Sequence, residues 1–560
     1  MPSCPRLCGL ESRESFALVR PLGGPGRVSV HSVRPDGVPV LVRAHRLLAA
    51  SSALASVLLP AACLLPSPLR AATFDVTQAT WGTAAQSQSF AWALAQANVN
   101  PGLDTIRISP GLQIDVDGAT PGAGLWLAGV SDALAIEGNG ATLVGNPSFL
   151  ASSGTVYTKT NVDVFTPAPG GTDILLQQAF SFAKVDPGVS LSIERLGIDG
   201  LNGFVQLGNG GSATIANASA RNTVSYGAAV RSVFEALDNS VLNLTNVVMD
   251  RINQPLLTIG AAWEGVVAGT NASLNMFASR ISNAAAGAVV WGGGVANVVS
   301  SVIEASGGLS VRDDTSAGVM NLVNSLVSPT SQNPNLQRLQ AIGGGELNIV
   351  ASTIVQDALY NDYNGCNADP YVCGGKPLTA LDGGAIRMRE SVISLLNAEV
   401  PGLIPVGIES YSDAALGYAS GGSLQAQDSV WIQVTPAQSA VDLAGLLGSQ
   451  GLITTGVPFL LDDFGGGLSG YHPLPAGAVP NPAGPLIDRI ADADGSNQLI
   501  NPIDGSVIQF DLLGMPRTRL GRRDLGAIQA QDVPAPLPLA GAFAAFSGSR
   551  RLRRRLRQRL

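Results

Sequence analysis

The sequence predicts an all-β chain folded as a single-stranded parallel β-helix, and three observations predict it. First, one eight-residue pattern recurs nine times: LSIERLGI from Leu191, ATIANASA from Ala213, LNLTNVVM from Leu242, LNMFASRI from Leu274, ANVVSSVI from Ala296, MNLVNSLV from Met320, LNIVASTI from Leu347, IRMRESVI from Ile386 and LQAQDSVW from Leu424. In most copies the first, third and eighth positions are apolar. Such period-two alternation belongs to strands, whereas a helix would space its apolar residues at about 3.6. Second, the copies start 22, 29, 32, 22, 24, 27, 39 and 38 residues apart. A near-constant strand pattern with variable insertions marks a solenoid, because loops grow outward without disturbing the stack. Third, the shortest repeat lacks the helical pattern of α/β repeats, and the closely spaced hairpin turns of sandwiches and propellers do not recur.

Residues 1–72 read as a leader, with a signal peptide over about 43–72: Arg43 and Arg46 flank an apolar run from Leu47 to Leu65, and small residues near Ala71 and Ala72 mark a processing point. A permanent transmembrane helix is the alternative for that run. Residues 73–104 form an N-terminal cap, in which Phe90, Leu94 and Ala97 share one face of a short helix ahead of a Pro-Gly turn. A cap is required because an open strand edge invites aggregation.

The β-helix spans 105–460, with a first strand at Thr105 to Ile108 and an early coil in LAIEGNGATLVG. One coil cannot bury its inward Leu, Ile, Val and Met alone. Stacking at about 4.8 Å lets each coil cover its neighbour and pairs the backbone groups. Each unit reads as a bent strand pair. The sixth position is Ser in the last six copies, Ser279, Ser301, Ser325, Ser352, Ser391 and Ser429, a column read as structural, with each serine satisfied by its neighbours beside the bend. A closing segment covers 461–531, and 532–560 form a tail.

Three stretches carry resemblances. The block around Ala97, Asn98, Pro101, Gly102, Asp104, Thr105 and Ile106 resembles the start of bacterial right-handed β-helix surface proteins, which implies a right-handed, pectate-lyase-like solenoid closed by a short helix. NPAGPLIDRI and DLLGMPRTRLGRRDLGAIQ look like the closing block of the choice-of-anchor Q family: Pro485, Ile487 and Asp488, then Asp511, Gly514 and Arg517, then Asp524, Gly526 and Ala527, with Gln529 where members often carry Glu. VPAPLPLAGAFAAFSGSRRLRRRLR is similar to a PEP-CTERM sorting signal, through Val533, Pro534, Pro536 and Pro538, a short Ala/Gly-rich run, and Arg550, Arg551, Arg553, Arg554 and Arg555. That likeness implies an exosortase-like processing enzyme as partner, removal of the tail, and delivery to the cell surface or exopolysaccharide matrix. Both termini would then touch the membrane transiently, the arginines staying cytoplasmic.

Composition narrows the chemistry. The chain carries a net charge of −8, yet residues 1–72 and 550–560 are arginine-rich, so the body between them is strongly acidic. Such a body repels phosphate backbones, which argues against nucleic acid as a partner and for a surface polysaccharide or other extracellular ligand. Cys366 and Cys373, the two cysteines beyond the leader, read as a loop-closing disulfide in an exported protein. His472 is the only histidine beyond the leader, too few for a His-based zinc site or Ser-His catalysis. No catalytic residues are assigned. Asp313 with Asp314, Asp362 and Asp369, and Asp462 with Asp463 read as solvated loop acids. Asp492, Asp494 and Asn497 in ADADGSN have the oxygen-rich spacing of a partial calcium loop without the later Glu of an EF-hand, so calcium is the candidate ion and no other cofactor is expected. Adhesion or matrix structure is the leading expectation. A carbohydrate-active enzyme, a polysaccharide lyase or glycoside hydrolase with carboxylates on the β-helix face, is the second, and a calcium-stiffened rod, whose melting temperature a chelator would lower, is the third.

Overall fold

The computed structural model describes residues 71–119, 126–146, 148–151, 156–158, 174–178, 180–223, 232–250, 264–284, 286–305, 309–312, 317–328, 339–357, 378–381, 383–396, 423–427, 429–432, 452–453, 490–491, 497–518 and 522–529. They form an all-β structure of long parallel sheets with a single helix among the described residues.

The eight-residue pattern marks the strand register directly. Its first positions pair in series, Leu191 with Ala213, then Leu242, Leu274, Ala296, Met320, Leu347, Ile386 and Leu424, every step parallel. The eighth positions do likewise, from Ile198 through Ala220, Met249, Ile281, Ile303, Val327, Ile354 and Ile393 to Trp431. Each unit thus supplies a first limb, such as Val241–Thr245, and a second, Val248–Asp250, to one sheet. The insertions hold a third limb that the sequence pattern did not reveal. Strands such as Val205–Leu207, Ser232–Ala236, Ala286–Trp291 and Leu339–Ile342 build a separate nine-stranded sheet.

Inward positions form one continuous core: Leu242, Leu244, Leu274, Met276, Met320, Leu322, Leu347 and Ile349 are all fully buried. Aromatic rings run through the same core, with Trp81 stacked on Phe90 at 4.7 Å between centroids, Phe90 edge-on to Phe182 at 5.7 Å, then Phe204 at 5.7 Å and Phe234 at 5.1 Å. Phe90 comes from the helix Phe90–Val99, which buries Phe90, Ala93, Leu94 and Ala97 and is capped by Ser89, whose hydroxyl accepts from the Trp92 N–H. Asn98 ties this helix to the stack: its Nδ2 donates to the Gly129 carbonyl at 2.8 Å and its Oδ1 accepts the Ser131 N–H at 3.0 Å.

The limbs turn at the fifth position of the pattern, which is left-handed in each of the eight units where it is described: φ is 53° at Arg195, 53° at Asn217, 52° at Asn246, 46° at Ala278, 47° at Ser300, 52° at Asn324, 48° at Ala351 and 47° at Glu390. Asn tolerates this region best, and other side chains there cost about 1 kcal/mol each. Beside the bend the serine column forms a ladder. Each hydroxyl donates to the carbonyl two residues back, as Ser301 does to Val299 at 2.9 Å and Ser352 to Val350 at 2.9 Å. From Ser301 onward each also accepts the N–H of the serine one unit earlier, through Ser279 to Ser301, Ser301 to Ser325, Ser325 to Ser352, Ser352 to Ser391 and Ser391 to Ser429 at 3.1–3.3 Å, and Ser279 accepts the Val247 N–H at 3.0 Å. A second ladder occupies the second position: the amides of Asn275, Asn297, Asn321 and Asn348 each donate to the asparagine one unit back, starting from Asn243, at 2.8–3.0 Å. Both columns satisfy otherwise costly buried polar groups.

Candidate functional site

The first limb alternates, so its fourth position points outward; so does the seventh position on the second limb. In the units from Ala296, Met320 and Leu347 these outward positions are Val299, Val323 and Val350, and Val302, Leu326 and Thr353. Residues 497–518 and 522–529 cover them. Leu499 packs on Val323, Val350 and Ala351, with Ile503 and Ile508 beside it. Leu512, Ala527 and Ile528 pack on Val302, Leu326 and Val355. Apolar residues pointing away from one core thus supply a second.

A set of polar anchors fixes this cover. Arg523 and Glu390 are a fully buried, bidentate ion pair, Nε to Oε2 at 3.1 Å and Nη2 to Oε1 at 2.8 Å, and Arg523 Nη2 also donates to the Asn497 carbonyl at 2.5 Å. The planar guanidinium matches the carboxylate geometrically, which is what a buried pair needs to offset its desolvation. Arg517, also fully buried, donates to the Asn324 Oδ1 at 2.5 Å and to the carbonyls of Ala351 at 3.1 Å and Gly526 at 2.9 Å. Burial pushes its guanidinium down to about 10, against the pull of Asp511 and Glu390, so it still carries its proton at neutral pH. Asp511 organises the turn between these arginines and the apolar cover. Its Oδ1 accepts the N–H groups of Leu513 at 2.9 Å and Met515 at 2.7 Å, and its Oδ2 accepts that of Gln529 at 2.8 Å. Gly526 sits at φ 93°, where an added Cβ would meet the Thr353 Oγ1 at 2.5 Å; the next residue's N–H donates to that same oxygen at 2.9 Å. Gln529 closes a ring with Asp524, its Oε1 accepting the Asp524 N–H at 3.0 Å.

Between cover and stack lies a groove of about 570 Å³, a size that suits a small ligand. Val299, Val323, Ile508 and Leu512 form its apolar lining, with Ser300, Asn324, Asn501 and Ser506 supplying polar groups. Phe510 stands at its side, 53% exposed, on a turn closed by the Phe510–Pro516 bridge and by Asp511.

The residues singled out from the sequence as site candidates fall in two groups. Asp511, Gly514, Arg517, Asp524, Gly526, Ala527 and Gln529 all belong to the cover, where they bond and pack. Asn497 lies there too, engaged through its carbonyl, while Asp492 and Asp494 lie outside the described residues. Also outside them are Cys366 and Cys373, Pro485, Ile487 and Asp488, the paired loop acids, His472, and the tail from Val533 through Arg555. Among the described residues no group of three or more His, Cys, Asp or Glu is placed to hold a metal ion, and no helix is long and apolar enough to cross a membrane. Glu390, Asn324 and Phe510 were not picked out by sequence reasoning. The available signal was the adjacent apolar pair at the third and fourth positions, Val298 with Val299, Leu322 with Val323 and Ile349 with Val350, which breaks alternation and so announces strands covered on both faces.

Comparison with protein families, curated proteins and solved structures finds no match to the chain.

Proposed function

We propose that the protein is a secreted, cell-surface or exopolysaccharide-matrix-associated single-stranded right-handed parallel β-helix of the pectate-lyase-like kind, with an adhesive or structural role. Right-handedness is inferred from the strong preference of parallel crossovers for that hand. One observation carries the functional reading: along the stack, the recurrent polar side chains at the bend and second position bond one another from unit to unit, so they serve length and rigidity instead of chemistry. The likeness to choice-of-anchor Q proteins draws on Asp511, Arg517, Asp524 and Gly526, which fasten the C-terminal cover. Export by a signal peptide and sorting by the PEP-CTERM-like tail complete the proposal. Mass spectrometry of protein released from the cell surface tests it. A mature chain starting near residue 72 and lacking Arg550 to Leu560 is expected; one retaining those arginines overturns the sorting step.

A second reading, a carbohydrate-active enzyme, draws on one specific feature. The register sets Asp199 beside Arg221 and Arg221 beside Asp250 on three adjacent strands, two carboxylates flanking a cation on the outer side of the sheet. Neighbouring parallel strands are about 4.8 Å apart, so the two acids stand roughly two spacings from each other, comparable to the carboxyl separation of inverting glycosidases. Release of reducing ends or unsaturated products from polysaccharide by the wild type, lost in Asp250→Asn, would establish this reading in place of the first.

A further inference from the structure

The groove beside Phe510 has unused binding capacity of a definite kind. Ser300 Oγ accepts from Asn324 Nδ2 at 2.9 Å, which leaves its own proton to give. Asn501 uses its Oδ1 to accept the Ile503 N–H at 3.0 Å, which leaves its NH₂ group. Ser506 donates to Asp504 at 2.7 Å, which leaves its lone pairs. Donor and acceptor capacity therefore both remain beside an apolar lining. Among the described residues no Lys or Arg lines the groove, and the carboxylate that does, Asp511, already has both oxygens bonded to backbone N–H groups. An anionic ligand would find no counter-charge there and would face Asp511; a cation would find no oxygen cage.

A large aromatic side chain left half exposed on a rigid turn is the other part of the pattern. The three backbone N–H groups on Asp511 and the left-handed Gly514, at φ 81°, fix the loop that carries Phe510. A rigid ring beside hydroxyl and amide groups offers apolar area for the C–H face of a sugar and hydrogen bonds for its hydroxyls, at little entropic cost.

We propose that this groove binds a short stretch of neutral saccharide, presented between the C-terminal cover and the bends at Ser300 and Asn324. The proposal rests on the adhesive reading above and names the place and chemical class of the ligand. The test is calorimetric titration of the full chain with cellohexaose, maltohexaose and mannohexaose, with hexagalacturonate as the charged comparison. Binding of a neutral hexasaccharide is expected, weakened at least tenfold by Phe510→Ala and by Asn501→Ala, with the melting temperature of Phe510→Ala unchanged because the ring is half exposed. Neutral saccharide binding that survives both substitutions would leave adhesion standing and remove this site. A preference for hexagalacturonate would overturn the charge argument, and no binding to any of the four would count against site and adhesion together.

Discussion

The units that begin at Ala213 and Leu242 and those that begin at Ala296, Met320 and Leu347 share an inward pattern and differ in what they show to the outside. The earlier pair presents Ala216, Ser219, Thr245 and Val248, all at least partly exposed. The later three present Val299, Val302, Val323, Leu326 and Val350, nearly all of them buried beneath residues 497–518 and 522–529. Inward positions therefore settle how the strands stack, and outward positions settle what lies over them. The two codes occupy alternate residues of the same strands, so they vary independently.

The sharpest way to break this contrast is to remove the anchor that the next unit along, from Ile386, offers to the same cover. Glu390→Ala leaves Arg523 buried without its partner, and should cost about 3–5 kcal/mol. A lower urea midpoint together with new protease cleavage inside 497–529 would register it, while Glu194→Ala at an exposed outward position of an earlier unit should leave both unchanged. Next in size is Leu326→Ala, which opens a cavity under Leu512 and Ile528 and should cost about 2–5 kcal/mol by equilibrium unfolding.

A matched exchange comes third. Val323→Thr puts an unbonded hydroxyl under the cover, costing roughly 1–3 kcal/mol. The reverse change at the equivalent exposed site, Thr245→Val, should stay within about 0.5 kcal/mol. Equal effects at the two sites would dissolve the distinction.

The smallest effect concerns acid. Burial pushes the Glu346 carboxyl up, but hydrogen bonds from Arg387 and Asn348 and the Arg387 charge outweigh it and hold the group below its ordinary value. A depressed carboxylate contributes stability above its unfolded value, about 4.3, and loses it as pH falls through the lower folded value. Arg387→Gln should therefore lower the urea midpoint slightly at pH 7, by under about 1 kcal/mol since the pair is half exposed, with the difference closing towards pH 3.

Much of the strand register was legible in the sequence because period-two alternation is enforced residue by residue: a slip of one position would turn Leu242 and Leu244 outward. The serine column was legible for the same reason. The third limb was missed because its distance from the second limb before it varies, although Ala183, Val205, Phe234, Val266, Ala288, Leu339 and Leu378 each stand eight residues ahead of the next copy of the pattern, with a turn between, at Gly210, Asn239, Asn271, Gly293 and Gly344. The asparagine ladder could have been read from the second position of five consecutive copies. The cover was half legible. Its motif residues stood out, whereas their partners did not, because Glu390 and Arg523 are 133 residues apart and nothing local in IRMRESVI says that its acid will be buried. Phe510, exposed in a turn, carries no periodic signal at all.

The cover also acts as a ruler. It grips the stack at Val302, Leu326, Thr353 and Glu390, in four successive units, so the number of units between those points cannot change without misaligning its two arginines. Among the described residues upstream of Phe277 no such gauge applies, and duplication or loss of a whole unit there would leave every anchor in place. Variants of different length should therefore differ on the N-terminal side of that mark.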